Sequence, residues 1–451
     1  MHDMLVFQVI NLSCRFTQST IFYADSAQVT KWVLYWSYMQ PFKFSKLSTL
    51  VKSYDSRMWI LFFGWMISAM GFAMVIPYLS IYFHNRMNIP MSQVGLLFGV
   101  GAIAQSLFGL WGGDLSDKIG RVKIMGTAQL IRSAIFLLMG VLAWKGGSFF
   151  LWALLLICNW IAGSFFQPVA NAMAADIAPK GKRVEAYSIL RIGGNVGWAV
   201  GPMIGGFLAA ASYPILFIFA SVGTFVSSFL VLFFLSETVK VESSEEKFTF
   251  KDIKKLKSDH LFLQYCAIGL LLFLVIGQLV ATLSVFSVDY VGISESRLGL
   301  LYATNGLIVI LFQLPVSRFT QKQNLIRVIC MGSLGYTLGY FLVGFSASFS
   351  WLFLCFLIIS FSEITVLPAS MAIVANLSKD KHHGLYMGGY GLFFSLGWSI
   401  GPLLGGILID LLGKEPILLW GIIASLGVLS ALGFNWIGKR LPQDAIAPHI
   451  S

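Results

Sequence analysis

The sequence predicts an all-α integral membrane protein of twelve transmembrane helices, folded as two six-helix bundles related by an internal repeat. Three observations predict it. Of 451 residues, 57% are hydrophobic and 11% charged, whereas an ordinary soluble domain carries about 25% charged residues. Twelve apolar runs, at 57–83, 91–113, 122–144, 148–175, 184–211, 214–236, 262–288, 297–317, 325–346, 349–376, 385–412 and 416–438, are each long enough to cross ~30 Å of hydrocarbon. Finally, GWAVGPMIGGFL from Gly197 to Leu208 returns 200 residues later as GWSIGPLLGGIL from Gly397 to Leu408.

The repeat pairs Gly197, Trp198, Gly201, Pro202 and Gly205 with Gly397, Trp398, Gly401, Pro402 and Gly405, and at the same offset Pro168 with Pro368 and Lys118 with Arg318. Glycines four residues apart line one face of a helix. That face admits a neighbouring helix to backbone contact, and the proline bends it. A repeat of this length in so apolar a chain implies two parallel-topology bundles with a binding site between them.

The net charge of +11 sits in the connections and not on a nucleic-acid-binding face. One side carries Lys118, Arg121 and Lys123, then Lys180, Lys182 and Arg183, the lysines of 237–261, Arg318, Lys322 and Arg327, Lys379 and Lys381, and Lys439 and Arg440. The other has Arg86, Lys145, Arg297 and Lys414. Positive charge accumulates on the cytoplasmic side, so both termini are expected there. The domain boundaries read as an N-terminal extension over 1–56, a bundle over 57–236, a mixed-charge linker over 237–261, a second bundle over 262–438 and a tail over 439–451. The extension lacks both a spanning run and a signal-peptide layout. It reads as upstream sequence or a disordered tail ahead of a start near Met39, or else as a membrane-surface arm. Five scattered cysteines suggest neither a disulfide framework nor a metal site.

The first span carries Gly71, Pro77 and Tyr78. After the second comes GGDLSDKIGRVK, a tight turn in which Gly113 and Gly120 allow close approach and positive φ while Asp117 can accept from a helix N-terminus. The third span places Arg132 near mid-membrane with Gln129 and Ser133. The fourth repeats polar residues at every fourth position, Asn159, Gly163, Gln167 and Asn171, a stripe that suits a cavity better than lipid. The fifth presents Ser188, Arg191, Asn195 and Trp198 on one face. A charge at bilayer depth costs ~2.5–3.5 kcal/mol on insertion scales, so Arg132 and Arg191 imply partners or water, with snorkelling to the interface as the other reading.

Spans seven and eight add Gln278, Thr282, Asn305 and Gln313. The tenth holds Glu363, the one carboxylate near the middle of a span; Asp176 and Asp410 lie at span ends. Glu363 could bind and release a proton during transport, or be locked to an arginine across the cavity. Tyr386, Tyr390, Phe394 and Trp398 on the eleventh span could complete a cation-tolerant pocket with it.

Gly113, Leu115, Asp117, Gly120, Arg121 and Lys123 match G-x-L-x-D-[RK]-x-G-[RK]-x-[RK], and over 57–438 the chain resembles the major facilitator superfamily. The corresponding turn of the second half, PVSRFTQKQN, has Ser317 and Gln321 where Asp117 and Arg121 stand. The resemblance implies that Asp117, Arg121 and Lys123 gate the two halves. GWAVGPMIGG resembles the family's antiporter motif. NAMAADIAPKGKR with Asp176 and SEITVLP with Glu363 resemble stretches of bacterial multidrug/proton antiporters. That likeness implies a monomeric, proton-coupled exporter of amphipathic or cationic small molecules in the bacterial plasma membrane. It makes Glu363 the proton and substrate site and Asp176 a second proton site. One departure stands out. Asn159 replaces the arginine that many such exporters keep four residues before a glycine, leaving Arg132 or Arg191 to substitute.

Other readings stay open. A transporter of a specific metabolite or organic anion would use Arg132 and Arg191; a lipid or lysolipid flippase is a variant. An enzyme is not expected, because His382 and His383 stand without a nucleophile or metal-ligand set. No phosphate-binding glycine loop appears, and no cofactor, metal or nucleic-acid partner is expected.

Overall fold

A computed structural model describes residues 54–179, 182–238, 259–378 and 383–447. The N-terminal extension lies almost wholly outside them, as do most of the 237–261 linker, Lys180, Lys379, Lys381 and His382. The contacts that follow all fall within Asp55–Ser451, which forms one compact unit.

Regular structure among the described residues is helical. The first span is α1 (Ser56–Ala73) and α2 (Ile76–Ile81), followed by a π turn over Tyr82–Arg86. It breaks at Met74 and Val75 because Pro77, in the first turn of α2, has no N–H to give the Ala73 carbonyl. Next come α3 (Met91–Ile119) and α4 (Arg121–Lys145). The fourth span, α5 (Phe149–Ser164) and α6 (Phe166–Ile177), breaks at Phe165, where Pro168 leaves the Ser164 carbonyl without its donor. The half closes with α7 (Arg183–Ala211) and α8 (Tyr213–Phe234).

The second half repeats this order. α9 (His260–Ile276), a 3₁₀ turn at Gly277–Leu279 and α10 (Thr282–Asp289) form a seventh span broken at the place that matches the first. Then follow α11 (Glu295–Thr320), α12 (Leu325–Val343), α13 (Phe349–Leu377), α14 (His383–Leu412), α15 (Pro416–Gly438) and the short α16 (Gln443–Ile446). Helix starts are capped where the sequence supplies an oxygen: Ser148, Asp259, Ser294, Asn324 and Ser348 each accept an N–H of the first turn.

Among the described residues, eleven helical segments are long and apolar enough to cross a membrane. α7, the expected fifth span, falls outside that set although it is a 29-residue helix, because glycines dilute its apolar character. Large apolar side chains such as Ile131, Leu138, Phe233, Met331 and Leu411 lie exposed on the outer faces, where hydrocarbon and not water suits them.

Across the two halves, α3 packs on α14 and α7 on α11. Hydrogen bonds between the halves gather at the end opposite the basic turns. Asn85 Nδ2 donates to Asp289 at 2.6 Å, Tyr213 Oη to Glu295 at 3.3 Å, and the Met91 and Ser92 amides to Asp410 at 2.9 and 2.8 Å. Backbones meet there as well: a Cβ on Gly99 would lie 2.8 Å from the Ser399 carbonyl, and one on Gly299 would lie 3.0 Å from that of Pro202.

Candidate functional site

Glu363 stands on α13, half-buried. Its Oε2 accepts from Asn305 Nδ2 of α11 at 2.9 Å, and the same amide nitrogen reaches Ser360 Oγ at 2.9 Å. Among the described residues Glu363 has no ion pair, so the arginine-locked alternative finds no partner here. Asn305, and Ser360 beyond it, are neutral partners.

The aromatic row of α14 turns elsewhere. Tyr386 packs on Phe262 at 4.6 Å between centroids, while Tyr390 and Phe394 pack on Phe273 at 5.5 and 5.0 Å. Trp398 stacks on Phe394 at 6.1 Å, and Tyr386 Oη donates to Asp259 at 2.6 Å. These contacts join α14 to α9 and do not bring the row to Glu363.

Arg132 is 4% exposed in the interior of the first half. Its Nη1 donates to Ser68 Oγ at 3.0 Å and approaches Gln129 Oε1 at 3.4 Å, and Gln129 Nε2 donates to the same serine at 2.6 Å. The guanidinium lies 5.4 Å from the Phe72 ring centroid and 5.9 Å from that of Phe136. Gly163 leaves room for it, since a Cβ there would lie 3.4 Å from Arg132 Cζ. No carboxylate faces this cation among the described residues, and its Nε is buried without an acceptor. Arg132 and Glu363 thus belong to different halves, each held by neutral partners.

The polar stripe of the fourth span divides. Asn159 is fully buried with both amide atoms unpaired, whereas beyond the break Gln167 is exposed and Asn171 half-buried. On α7, Arg191 and Asn195 are both exposed, one turn apart on the same face.

At the basic end, Arg121 forms an ion pair with Asp176 of α6 and lies 3.7 Å from Asp117 one turn back. Both partners belong to the first half. Gly120, at φ +112°, turns the chain between α3 and α4, and Gly113 lies in the helical stretch before it. The cap of α4 is Glu237, whose carboxylate accepts the amides of Arg121 and Val122 at 2.9 Å each and that of Lys123 at 3.4 Å. Sequence reasoning placed Glu237 in a linker. Its only signal was an acid directly after an apolar span, and nothing local names a helix start 116 residues away as its partner.

The two glycine faces meet the first span of their own half. A Cβ on Gly197 would lie 2.8 Å from the Met70 amide nitrogen, and one on Gly201 would lie 2.7 Å from the Met70 carbonyl. Gly205 abuts Met74, at the break in the first span, while Gly397, Gly401 and Gly405 meet Phe273, Leu274 and Gln278 in turn. Side chains at each break reach the proline kinks: Tyr78 Oη donates to the Pro202 carbonyl at 2.5 Å, and Gln278 Nε2 donates to the Gly401 carbonyl, next to Pro402, at 2.8 Å.

Residues 61–291 and 279–448 each match the family model described as Major Facilitator Superfamily. The chain belongs to the major facilitator superfamily. It is 25% identical over 398 residues to the multidrug resistance protein MdtH of Citrobacter koseri, covering 85% of this chain and 95% of that relative, with the same figures for MdtH of Salmonella newport. Among solved structures it shares the fold of a bacterial homologue of the human lysosomal transporter Spinster, at 17% identity, a TM-score of 0.66 and coverage of 86% of this chain and 92% of the other. A peptide transporter of the POT family, solved with sulfate, aligns at 14% identity and a TM-score of 0.69, covering 85% and 94%. Membership makes the chain a multi-pass membrane transporter. The residues reported above are how this member of the superfamily fills the space within and between its halves.

Proposed function

We propose that the protein is a proton-coupled exporter of amphipathic or cationic small molecules that works by alternating access. The observation that carries this reading is Glu363, a carboxyl within the tenth span whose hydrogen-bond partner is the neutral Asn305. With no ion pair among the described residues, it is free to exchange a proton for a cationic group of the substrate. The name of the MdtH relatives, multidrug resistance protein, supports the substrate class.

The basic end faces the cytoplasm on this reading, with both termini there and the monomer in a bacterial plasma membrane. Bonds between the halves gather at the far end, so substrate enters from the cytoplasm. When the halves rock, Asp117, Arg121 and Lys123 close the cytoplasmic end, and Arg121 is held ready for that by Asp176. The latter would serve as a second proton site on the cytoplasmic side. Each proton moving inward supplies ~2.3 kcal/mol per 100 mV. Arg191, Asn195, Gln167 and Asn171 are the polar lining that this cycle would expose.

A second reading, transport of an organic anion, is favoured by one observation: Arg132 is buried with no carboxylate partner among the described residues. Proton release from purified, detergent-solubilised protein on addition of lipophilic cations separates the two. Release from wild type and none from Glu363→Gln is expected. If no cation displaces a proton from folded wild type, the cation-exporter reading fails and anions become the substrates to screen.

A further inference from the structure

Arg132 leaves one edge of its guanidinium unused. Both of its hydrogen bonds leave from Nη1, to Ser68 Oγ and Gln129 Oε1. Neither Nε nor Nη2 has an acceptor among the described residues, and Nε is buried. These two nitrogens share one edge of the planar group. Their N–H bonds run parallel there and match the two oxygens of a carboxylate, while Nη1 anchors the opposite corner.

A second unpaired group stands on the neighbouring turn of α5. A Cβ on Gly163 would lie 3.4 Å from both Cζ and Nε of Arg132, and Asn159 occupies the same face of α5 one turn earlier. Asn159 is fully buried, and neither of its amide atoms has a partner among the described residues. A buried amide costs stability unless something polar meets it. The rings of Phe72 and Phe136 border the guanidinium, and little solvent reaches it.

We propose that Arg132 and Asn159 form a binding site for one monovalent planar oxyanion of the carboxylate type, seated on the Nε–Nη2 edge with the Asn159 amide donating to it. One negative charge suits the site because one cation faces it; a dianion would leave net charge at bilayer depth. Ser68 and Gln129 are neutral, and Glu363 belongs to the other half, so no counter-charge comes from the described residues. A water molecule meets the hydrogen bonds but leaves the arginine's charge uncompensated, and an uncompensated buried charge is strongly unfavourable. The carboxylate has two sources, a small free ion that stays as a counter-ion or an acidic group on the transported molecule. The chemistry of the site is the same for both.

The proposal rests on neither reading of the cargo, and its test measures binding alone. Purified full-length protein in detergent, with methanesulfonate as the buffer anion, is mixed with formate, whose single proton resonance reports contact with the protein by saturation transfer. Wild type should give a saturable signal. Arg132→Met should lose it, and Arg132→Lys, a point charge without the paired edge, should bind at least roughly tenfold more weakly. Asn159→Asp places a carboxylate beside Arg132 within the chain itself, so it should exclude formate while staying folded, which guards against misfolding as the cause. Chloride, with no pair of oxygens to match the edge, should displace formate only at a much higher concentration than acetate does. Glu363→Gln should bind formate as wild type does, which keeps this result separate from proton release. Formate and acetate binding identify a free counter-ion; if only benzoate and bulkier carboxylates give a signal that Arg132→Met abolishes, the site stands and the cargo supplies the group. No carboxylate in contact with wild type, or contact undiminished in Arg132→Met or Asn159→Asp, overturns the site.

Discussion

Asn305 Nδ2 lies 2.9 Å from Glu363 Oε2 and 2.9 Å from Ser360 Oγ, which ties the eighth span to the tenth through one amide. A glutamine at 363 can keep that bond but cannot titrate. Glu363→Gln should therefore abolish proton-driven export while preserving the fold. Asn305→Ala, which frees the carboxyl but leaves it ionisable, should reduce export several-fold without abolishing it. Substrate-driven proton movement in inverted membrane vesicles measures both, and equal loss in the two variants would argue for a purely structural role of the pair.

Arg132 offers a different contrast. A buried cation without a charged partner contributes little to stability, and exchanging it for an apolar side chain of similar size is often neutral or stabilising. Arg132→Met should hold or raise Tm yet lower transport at least tenfold. Arg132→Lys should not recover it, because a lysine cannot bridge Ser68 and Gln129 while lying against Phe72 and Phe136. A variant that transports normally would mean that the arginine serves packing alone.

The glycine seams set a third expectation. A Cβ on Gly201 would come within 2.7 Å of the Met70 carbonyl, while one on Gly391 would meet nothing within 4 Å. Overpacking costs about 1–3 kcal/mol. Gly201→Val should lower Tm and yield, and Gly391→Ala on the same kind of helix should leave both unchanged.

The cap on α4 gives a fourth. Glu237→Ala removes the acceptor of the Arg121 and Val122 amides, and losing a cap costs ~1 kcal/mol. Gly120→Ala adds strain at φ +112° and crowds the same carboxylate. Each variant should lower the unfolding midpoint in a thermal-shift assay, and the double variant should lose less than the sum, since both act on one contact.

How legible these features were depends on distance along the chain. The spans follow from runs of apolar residues, and the first-half signature from Gly113 to Lys123 follows from spacing within one turn. The repeat made a glycine face visible at Gly197, Gly201 and Gly205 but did not say which helix would meet it. Arg121 was legible as part of the basic turn signature, yet its pairing with Asp176, 55 residues on, was not. The aromatic row of the eleventh span had the right chemistry for a pocket beside Glu363, but packing turned it toward Phe262 and Phe273 instead.

Composition, periodicity and the 200-residue echo by themselves determined a membrane protein of paired bundles, because hydrocarbon forces every backbone polar group into helices and leaves the pattern of spans in plain view. Only the tertiary structure decided which polar groups share a partner: Glu363 with Asn305, Glu237 with the start of α4, Asp410 with Met91 and Ser92. These bonds join residues 58 to 319 positions apart. Each depends on how helices tilt and break against one another, and no local run of sequence encodes that meeting.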